Sequence, residues 1–294
     1  MRGVIHRTRT TAKDGKDFVL AANSEISPAE AARLMGELTA IVARASALIR
    51  AVSPDSGHKL KPDQSPVTLA DDASEAEILQ GLARLLPGVP VVSEEMSGRQ
   101  APPKLTDSFI LVDPLDGTRE FIAGRDEYTV NVAIISGGAP IAGIVSAPKQ
   151  HKVWRGIVGR GAERLRMLAD GADQPEAIRT RRWPAQKAVA VVSRSHLDPA
   201  TETYVGSLGP VARDESGSAI KFCRIAEGTA DVYPRFGTTC EWDVAAGHAV
   251  VTAAGGVVTD RQGAPLKFGD TAGNFRVAAF IAWGDPDKAK SVRL

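Results

Sequence analysis

The feature that most constrains the fold is "FILVDPLDGT", at residues 109–118, where an apolar run ends in two aspartates. Pro114 has no backbone N–H to donate to a sheet ladder, so a buried strand is expected to end there. Gly117 permits a tight turn that a side chain would obstruct. The motif therefore predicts a strand whose end directs Asp113 and Asp116 into one small volume.

The patterns on either side predict helices and strands that alternate along the chain. A capping box, "SPAE" at residues 27–30, predicts the start of a helix whose apolar residues recur at helical spacing as far as Leu48. The pair Gly137-Gly138 predicts a hairpin between two apolar strands. Further predicted elements are a helix over 73–86, a strand over 188–193, a helix that begins at Asp198, a helix over 216–228, a strand at "VYPRF" and a helix at "WDVAAGHAV". This intermixing indicates a layered α/β fold.

The length and charge of the chain limit the classes of function. With 294 residues, the chain is expected to form one domain over 25–294, with lobes at about 25–185 and 186–294, after a weakly ordered extension over 1–24. Lysine and arginine number 36 against 35 acids, which gives no reason to propose a nucleic-acid polymer or a membrane as partner. No apolar stretch is long enough to span a bilayer.

The cysteines indicate a reducing compartment. The chain has two, Cys223 and Cys240, too few for a disulfide framework in a protein of this size. We therefore expect two free thiols and a cytoplasmic protein.

Five acids fall at the predicted ends of elements, and together they predict a metal site. They are Asp71, Glu94, Asp113, Asp116 and Asp243. Clustered carboxylates repel one another, and oxygen ligands of this kind suit Mg²⁺. Two such ions about 3.5–4 Å apart would form a clamp for phosphoryl transfer to water. Taken singly, each acid is more often a turn former or a helix cap, so the prediction depends on their combination with "DPLDGT".

The motifs that carry these acids resemble those of a known family. "VTLAD", "SEE", "DPLDGT" and "EWDVAAGHAV" resemble the inositol monophosphatase superfamily of Mg²⁺-dependent, lithium-sensitive phosphatases. "VVSRSH", "SGSAIKFC" and "AEGTADVYPRFG" look like its CysQ branch of 3'(2'),5'-bisphosphate nucleotidases. The resemblance covers about residues 28–280 and implies the layered αβαβα sandwich of the inositol monophosphatase and fructose-1,6-bisphosphatase type. Many members are dimers, so a homodimer is a further expectation.

The resemblance also implies a role for each matching position. Two or three Mg²⁺ ions would bind, one at Glu94, Asp113 and the Leu115 carbonyl, and another at Asp113, Asp116 and Asp243. Asp71, rather than its neighbour Asp72, would act with Thr118 to activate the attacking water. Glu94, Leu115, Asp116, Gly117, Thr118 and Asp243 would also contact the substrate.

The segment 193–236 is expected to bind the rest of the substrate. Ser216, Ser218 and Lys221 would gather at a helix start and form an anion site. His196 contacts a nucleotide or caps the helix that follows, and Arg235 contacts phosphate or lies in a surface turn. A lone lysine such as Lys221 is commonly only a solvated helix charge.

Three functions follow from this sequence. The first is Mg²⁺-dependent removal of the 3'-phosphate of adenosine 3',5'-bisphosphate (PAP), and of its sulfated relative PAPS, which would clear a by-product of sulfate assimilation. The second is an inositol monophosphatase or fructose-1,6-bisphosphatase that uses the same metal site. The third is a non-catalytic sensor of such phosphates, which loss of a metal ligand would favour.

Overall fold

The structure is a computed structural model that describes residues 25–62, 64–184 and 186–292. The extension predicted for residues 1–24 lies outside the described residues. Within the described residues, no helix combines the length and the apolar character needed to cross a bilayer.

Eight α-helices and sixteen strands make up the described part of the chain. The helices are α1 (Pro28–Ala51), α2 (Leu69–Leu85), α3 (Glu94–Ser97), α4 (Thr118–Ile122), α5 (Pro199–Ser207), α6 (Ile220–Ala226), α7 (Glu241–Ala253) and α8 (Pro286–Ser291). The strands are β1 (Lys59–Leu60), β2 (Pro66–Val67), β3 (Val91–Ser93), β4 (Ser108–Asp116), β5 (Thr129–Ser136), β6 (Ala139–Ala147), β7 (Lys152–Ile157), β8 (Gly161–Met167), β9 (Ala172–Ile178), β10 (Ala188–Ser193), β11 (Val211–Ser216), β12 (Val232–Arg235), β13 (Thr239–Cys240), β14 (Val257–Thr259), β15 (Arg276–Val277) and β16 (Phe280–Trp283).

Two large sheets organise these elements. The first has seven strands in the order β3-β4-β5-β6-β7-β8-β9 and is antiparallel except between β3 and β4. The second has five strands in the order β11-β10-β12-β16-β14. In it β10 runs parallel to both β11 and β12, and β16 runs antiparallel to its two neighbours. Because strands and helices succeed one another along the chain, each sheet has helices on both faces.

The helices lie in three layers, which confirms the αβαβα sandwich. Helices α1 and α2 cover one face of the seven-stranded sheet, and α6 and α7 fill the space between the two sheets. Helices α5 and α8 cover the outer face of the five-stranded sheet. The apolar cluster around α7 takes residues from both sheets. The division into lobes at 25–185 and 186–294 stays a prediction.

Several predicted boundaries agree with the structure. The first helix begins at Pro28 with its capping box formed, and the hairpin turns at Gly137 and Gly138, where φ is 58° and 74°. The strand over 188–193 and the helix capped by Asp198 are also confirmed. The two cysteines are free, as expected.

Two predicted helices begin elsewhere. The second helix starts at Leu69, not at residue 73, because Thr68 caps it and Asp71 completes a capping box. The helix predicted over 216–228 starts only at Ile220 and ends at Ala226. Ser216 belongs instead to β11, where it pairs with Ser193, and the chain must turn before a helix can begin. Ser216 therefore lies at the end of a strand, and Ser218 lies in the turn that follows it.

Candidate active site

A β-bulge explains how the end of β4 presents two aspartates on one side. Asp113 lies opposite Asn131 on β5, and Asp116 lies opposite Thr129, so three steps on β4 match two on β5. In a regular strand, residues three apart point to opposite faces. The extra residue of the bulge restores the phase and re-aims Asp116. Both carboxylates consequently face the layer that contains α7.

Three acids from separate elements meet at this point. Carboxylate oxygens of Glu94, Asp113 and Asp243 all lie within 4.8 Å of one another. Leu115 and Asp116 line the same cleft, which has a volume of about 300 Å³. Asp113 Oδ1 accepts a hydrogen bond from Leu115 N at 3.0 Å, but its Oδ2 is buried with no partner among the described residues. An all-oxygen donor set with an orphaned carboxylate oxygen fits a hard cation such as Mg²⁺.

The raised pKa values of these acids indicate that the cluster lacks a compensating positive charge. Burial and the charges of Glu94, Asp116 and Asp243 raise the pKa of Asp113 well above its usual value. Removal from bulk water, together with Asp243 and Glu95, raises the pKa of Glu94 to about 8. Burial and Asp243 likewise raise the pKa of Asp116 to about 7. The cluster is therefore unfavourable as a set of anions unless a cation neutralises it.

Asp243 has a structural bond as well as a place in the cluster. It occupies the third position of α7, where its Oδ2 accepts from Cys240 N at 3.0 Å and from the Thr239 hydroxyl. The simple interpretation, a first-turn acid that caps its helix, is thus correct for one oxygen. The carboxylate still contributes an oxygen to the acid cluster, so the two interpretations are compatible.

Asp71 and Thr118 form a hydrogen-bonded pair beside the acid cluster. Thr118 Oγ1 donates to Asp71 Oδ1 at 3.1 Å and lies 3.3 Å from the Leu115 carbonyl oxygen. Asp71 Oδ2 accepts from the N–H and the hydroxyl of Thr68, at 2.8 and 2.7 Å. Asp72 points elsewhere, since it is exposed and pairs with Arg99 at 2.5 Å. The geometry accordingly brings Asp71, and not Asp72, to Thr118.

A lysine that the sequence did not single out contacts the cluster. Lys61 Nζ lies 2.7 Å from Glu94 Oε1 and 2.5 Å from Glu95 Oε1. It follows β1, the first strand of a small hairpin that stands over the acids. Nothing in the sequence around Lys61 separates it from the neighbouring Lys59, so only the fold identifies it. Asp71, Glu94, Asp113, Asp116 and Asp243 are hereafter called the acidic floor.

The same cleft is also lined by the basic residues Lys221 and Arg235 and by a histidine, and we call His196, Lys221 and Arg235 the basic wall. Lys221 is 1% exposed, and its Nζ donates to the carbonyl oxygens of Ser218 at 2.6 Å and Ser216 at 3.2 Å. Burial lowers the pKa of Lys221 to about 8, although Asp116 opposes that shift. Arg235 is half-buried, with its Nε 3.4 Å from the carbonyl oxygen of Gly237. Lys221 and Arg235 of the wall are thus both oriented by backbone carbonyl oxygens of the protein.

The remaining predicted contacts occupy different positions relative to the cleft. His196 lines the cleft, and its backbone N–H donates to Ser193 Oγ at 3.1 Å. Partial removal of its ring from water, together with the charges of Arg235 and Arg119, lowers the pKa of His196. Ser218 lines the cleft with a buried, unpartnered hydroxyl and a φ of 44°. Ser216 is buried at the end of β11, and its carbonyl holds Lys221.

Gly117 is required by its conformation. Its φ of 92° lies in the left-handed region, and an added Cβ would come within 3.3 Å of the Glu127 carbonyl oxygen. The turn places Thr118 at the first position of α4, directly above the acids.

The cleft also contains residues that sequence reasoning missed. Arg119 and Arg276 line it and are exposed, and neither forms a salt bridge within the described part of the chain. Glu120 is buried beside them and accepts a hydrogen bond from Ser195 Oγ at 2.5 Å. Arg276 lies on β15 opposite Cys240, so a pairing of distant segments brings it to the site. Arg119 could have been predicted at the cleft, because it directly follows the "DPLDGT" motif in the sequence.

The fold and this site define a class of phosphatase-like α/β sandwiches, and the chain belongs to the inositol monophosphatase family. A sequence profile of that family matches residues 29–283. The chain is 43% identical over 208 residues to the 3'(2'),5'-bisphosphate nucleotidase CysQ of Escherichia coli (strain K12), covering 71% of this chain and 81% of that protein.

The chain is also similar to two further proteins. The crystal structure of CysQ from Bacteroides thetaiotaomicron superposes with a TM-score of 0.71 at 34% identity, over 86% of this chain and 97% of that one. The histidinol-phosphatase of Mycobacterium tuberculosis is 34% identical over 218 residues, covering 72% of this chain and 80% of that protein. The family resemblance predicted from the motifs is confirmed.

Proposed function

We propose that this protein is a Mg²⁺-dependent phosphatase that hydrolyses the 3'-phosphate of PAP to give AMP and phosphate. The observation that carries the proposal is the cleft itself, which is lined both by acids of the floor suited to cations and by the basic wall suited to a second phosphate. A bisphosphate needs both sides, because a metal at the floor neutralises only the phosphate that is cleaved. The similar protein from E. coli is named a 3'(2'),5'-bisphosphate nucleotidase, which supports a bisphosphate nucleotide as the substrate.

The floor has the residues to hold two or three Mg²⁺ ions. Glu94, Asp113 and the Leu115 carbonyl would hold one, and Asp113, Asp116 and Asp243 another, as the family resemblance implies. When bound, the metal supplies positive charge that neutralises the carboxylates and makes both the phosphate and the attacking water more reactive. The orphaned Oδ2 of Asp113 supports this assignment.

The chain's own contribution to the chemistry is proton transfer and orientation. The Thr118 hydroxyl donates to Asp71 Oδ1, so its oxygen is free to accept a proton from a water molecule in the cleft. As the water oxygen bonds to phosphorus and the P–O3' bond breaks, the water proton passes to Thr118 Oγ1, the Thr118 proton passes to Asp71, and the departing 3'-oxygen takes a proton from solvent to become the 3'-hydroxyl of AMP. The two bonds from Thr68 hold Asp71 in the orientation that this relay requires.

The basic wall is proposed to receive the phosphate that is not cleaved. Arg235 presents a guanidinium, which suits the geometry of phosphate, and Lys221 adds positive charge close by. His196, Ser216 and Ser218 complete the predicted contact set, while the N–H groups of Gly117 and Thr118 are assigned to the reacting phosphate. Hydrolysis of PAPS and a homodimer rest on the family resemblance, and a cytoplasmic location rests on the two free thiols.

A phosphate-release assay with Mg²⁺ tests the proposal directly. The substrates to compare are PAP, PAPS, inositol 1-phosphate, fructose 1,6-bisphosphate and histidinol phosphate, the last because of the relative from M. tuberculosis. We expect kcat/KM to be highest for PAP and activity to vanish in EDTA. A preference for a monophosphate would contradict the nucleotidase assignment, and the absence of hydrolysis of any of them would favour a sensor.

A further inference from the structure

Strand β5 carries two polar residues in a position where apolar ones would be expected. Its sequence is "TVNVAIIS", and apart from Ser136 at its far end only Thr129 and Asn131 are polar. Thr129 is 0% exposed and Asn131 is 1% exposed. Asparagine is depleted in strands, so a fully buried one in mid-strand needs a reason.

The side chains of these two residues make no hydrogen bond within the described part of the chain. Thr129 Oγ1 and both the oxygen and the nitrogen of the Asn131 amide are buried and unpartnered. Leaving such groups without partners costs free energy, because nothing replaces the water that they lose on folding. Apolar residues of similar shape would fill the same space without that cost, so stability alone does not account for them.

The register of the sheet places both residues directly behind the metal-binding aspartates. Asn131 is the cross-strand partner of Asp113, and Thr129 is the partner of Asp116. Directly opposed side chains lie on one face of a sheet, with Cβ atoms about 4.5–5.5 Å apart. Asp113 Oδ1 is occupied by Leu115 N, whereas Oδ2 is unpartnered. The amide of Asn131 offers two N–H donors beside a carboxylate that lacks one.

We propose that Asn131 and Thr129 are positioning residues, which hold the carboxylates of Asp113 and Asp116 in the orientation that binds Mg²⁺. The Asn131 amide, the Thr129 hydroxyl and Asp113 Oδ2 have no hydrogen-bond partner among the described residues. With Mg²⁺ bound, an N–H of Asn131 would donate to Asp113 Oδ2, and the Thr129 hydroxyl would donate toward Asp116, either directly or through a water molecule. Partners that orient metal ligands in this way commonly contribute a factor of about 10–100 to metal affinity. The inference rests on the proposed Mg²⁺ dependence and is independent of which phosphate ester is the substrate.

The test is to compare Asn131→Leu with wild type in two measurements without substrate. The Kd for Mg²⁺ is obtained by calorimetry, and the Tm is recorded in EDTA. We expect the Kd to rise by about 10–100-fold, as for other outer partners of metal ligands, while the Tm in EDTA stays the same or increases. A positioning residue thus separates the two readouts, because its removal harms only the metal-bound state. Thr129→Val should shift both in the same directions by a smaller amount, and it provides the test should Asn131→Leu fail to fold.

Ser136→Ala is the matched control on the same strand. The Ser136 hydroxyl already has a partner, Ser108 Oγ at 3.1 Å, and lies at the opposite end of β5. We expect a lower Tm in EDTA and an unchanged Kd for Mg²⁺. An unchanged Kd in both Asn131→Leu and Thr129→Val would overturn this inference alone. A wild-type protein that binds no Mg²⁺ would overturn the metal assignment in the proposed function as well.

Discussion

The acidic floor and the basic wall contribute to one cleft, but they differ in how many of their polar groups already have partners within the protein. The floor leaves a carboxylate oxygen of Asp113 without a partner and gathers acids whose pKa values rise through burial and mutual repulsion. The wall holds Lys221 with two carbonyl oxygens before any ligand arrives. Among the described residues, the floor therefore lacks the positive charge that a cation would supply, whereas Lys221 of the wall already has hydrogen-bond partners.

The largest effect is expected from Asp113→Asn at the floor. This residue is proposed to serve both metal positions, so Asp113→Asn should remove nearly all turnover, a larger loss than the roughly 10²–10⁴-fold expected for proton-transfer help. The Tm in EDTA should not fall, because the variant removes a buried carboxyl that has an unpartnered oxygen among the described residues. Phosphate release measures the turnover, thermal unfolding in EDTA measures the Tm, and calorimetric titration measures the accompanying loss of Mg²⁺ affinity. Full activity at limiting Mg²⁺ would show that the floor does not need this carboxylate.

Thr118→Ala should produce the next largest effect. It removes the hydroxyl that bonds to Asp71 but leaves the carboxylates of the floor in place. Proton-transfer help of this kind is worth about 10²–10⁴-fold in turnover. The Kd for Mg²⁺ should change little, and Thr118→Ser should restore most of the turnover. Parallel losses of metal affinity and turnover would assign Thr118 to the structure of the turn.

At the wall, Lys221→Met should act on the substrate with two phosphates. A hydrogen bond to a charged group contributes about 1.5–3 kcal/mol, which corresponds to a loss of roughly tenfold to a hundredfold in kcat/KM for PAP. Hydrolysis of an inositol monophosphate, which has no second phosphate, should barely change. Arg224→Met is the control, because Arg224 lies on the same helix but pairs with Asp214 instead of lining the cleft.

An equal loss of kcat/KM for both substrates would assign Lys221 a structural role. Lys221 would then act by holding the carbonyl oxygens of Ser216 and Ser218, and so by shaping the turn beside the cleft. Arg235 would remain as the group assigned to the second phosphate.

The smallest effect is the pH dependence of stability without metal. The folded-state pKa values of Glu94 and Asp116 rise to about 8 and about 7, far above those of unfolded carboxyls. The folded protein therefore binds more protons than the unfolded chain, and stability falls as pH increases. This contribution is fully present below about pH 4 and is lost as pH rises through about 8. We expect the Tm in EDTA to decrease over that range, more than it does with excess Mg²⁺. Parallel curves in the two conditions would contradict this account of the floor.

The floor was more accessible to sequence reasoning than the wall, for a physical reason. Its acids lie at or near the ends of elements that local signals mark, and the structure brings Glu94, Asp113 and Asp243 together. The predicted strand end at Pro114 is wrong in detail, because β4 passes Pro114 in a bulge and ends at Asp116. The wall depends on how β11 ends and α6 begins, where Ser216 prefers a sheet partner to a helix. The pairing of Ser216 with Ser193 on β10 determines where β11 ends, and no local sequence pattern predicts that pairing.

Other features depended wholly on the register between distant segments. Asn131 reads as an ordinary strand residue until its pairing with Asp113 is known. Arg276 reaches the cleft through its pairing with Cys240, 36 positions earlier in the numbering (276 minus 240). The layer order was predicted through the family resemblance, because the alternation of helices and strands indicates α/β layers without fixing their sequence in space.

The bulge in β4 makes the length of β5 opposite the "DPLDGT" segment as critical as the composition of that segment. Insertion of one residue between Thr129 and Asn131 would let three steps on β5 match the three on β4 and return β4 to regular pleating. One aspartate would then turn toward the apolar layer of Ile110 and Val112, on the other face of the sheet. Divergent copies of this protein should therefore exchange side chains here without an insertion in β5, and a transplant of this centre into another antiparallel sheet must carry the additional residue of β4 with it.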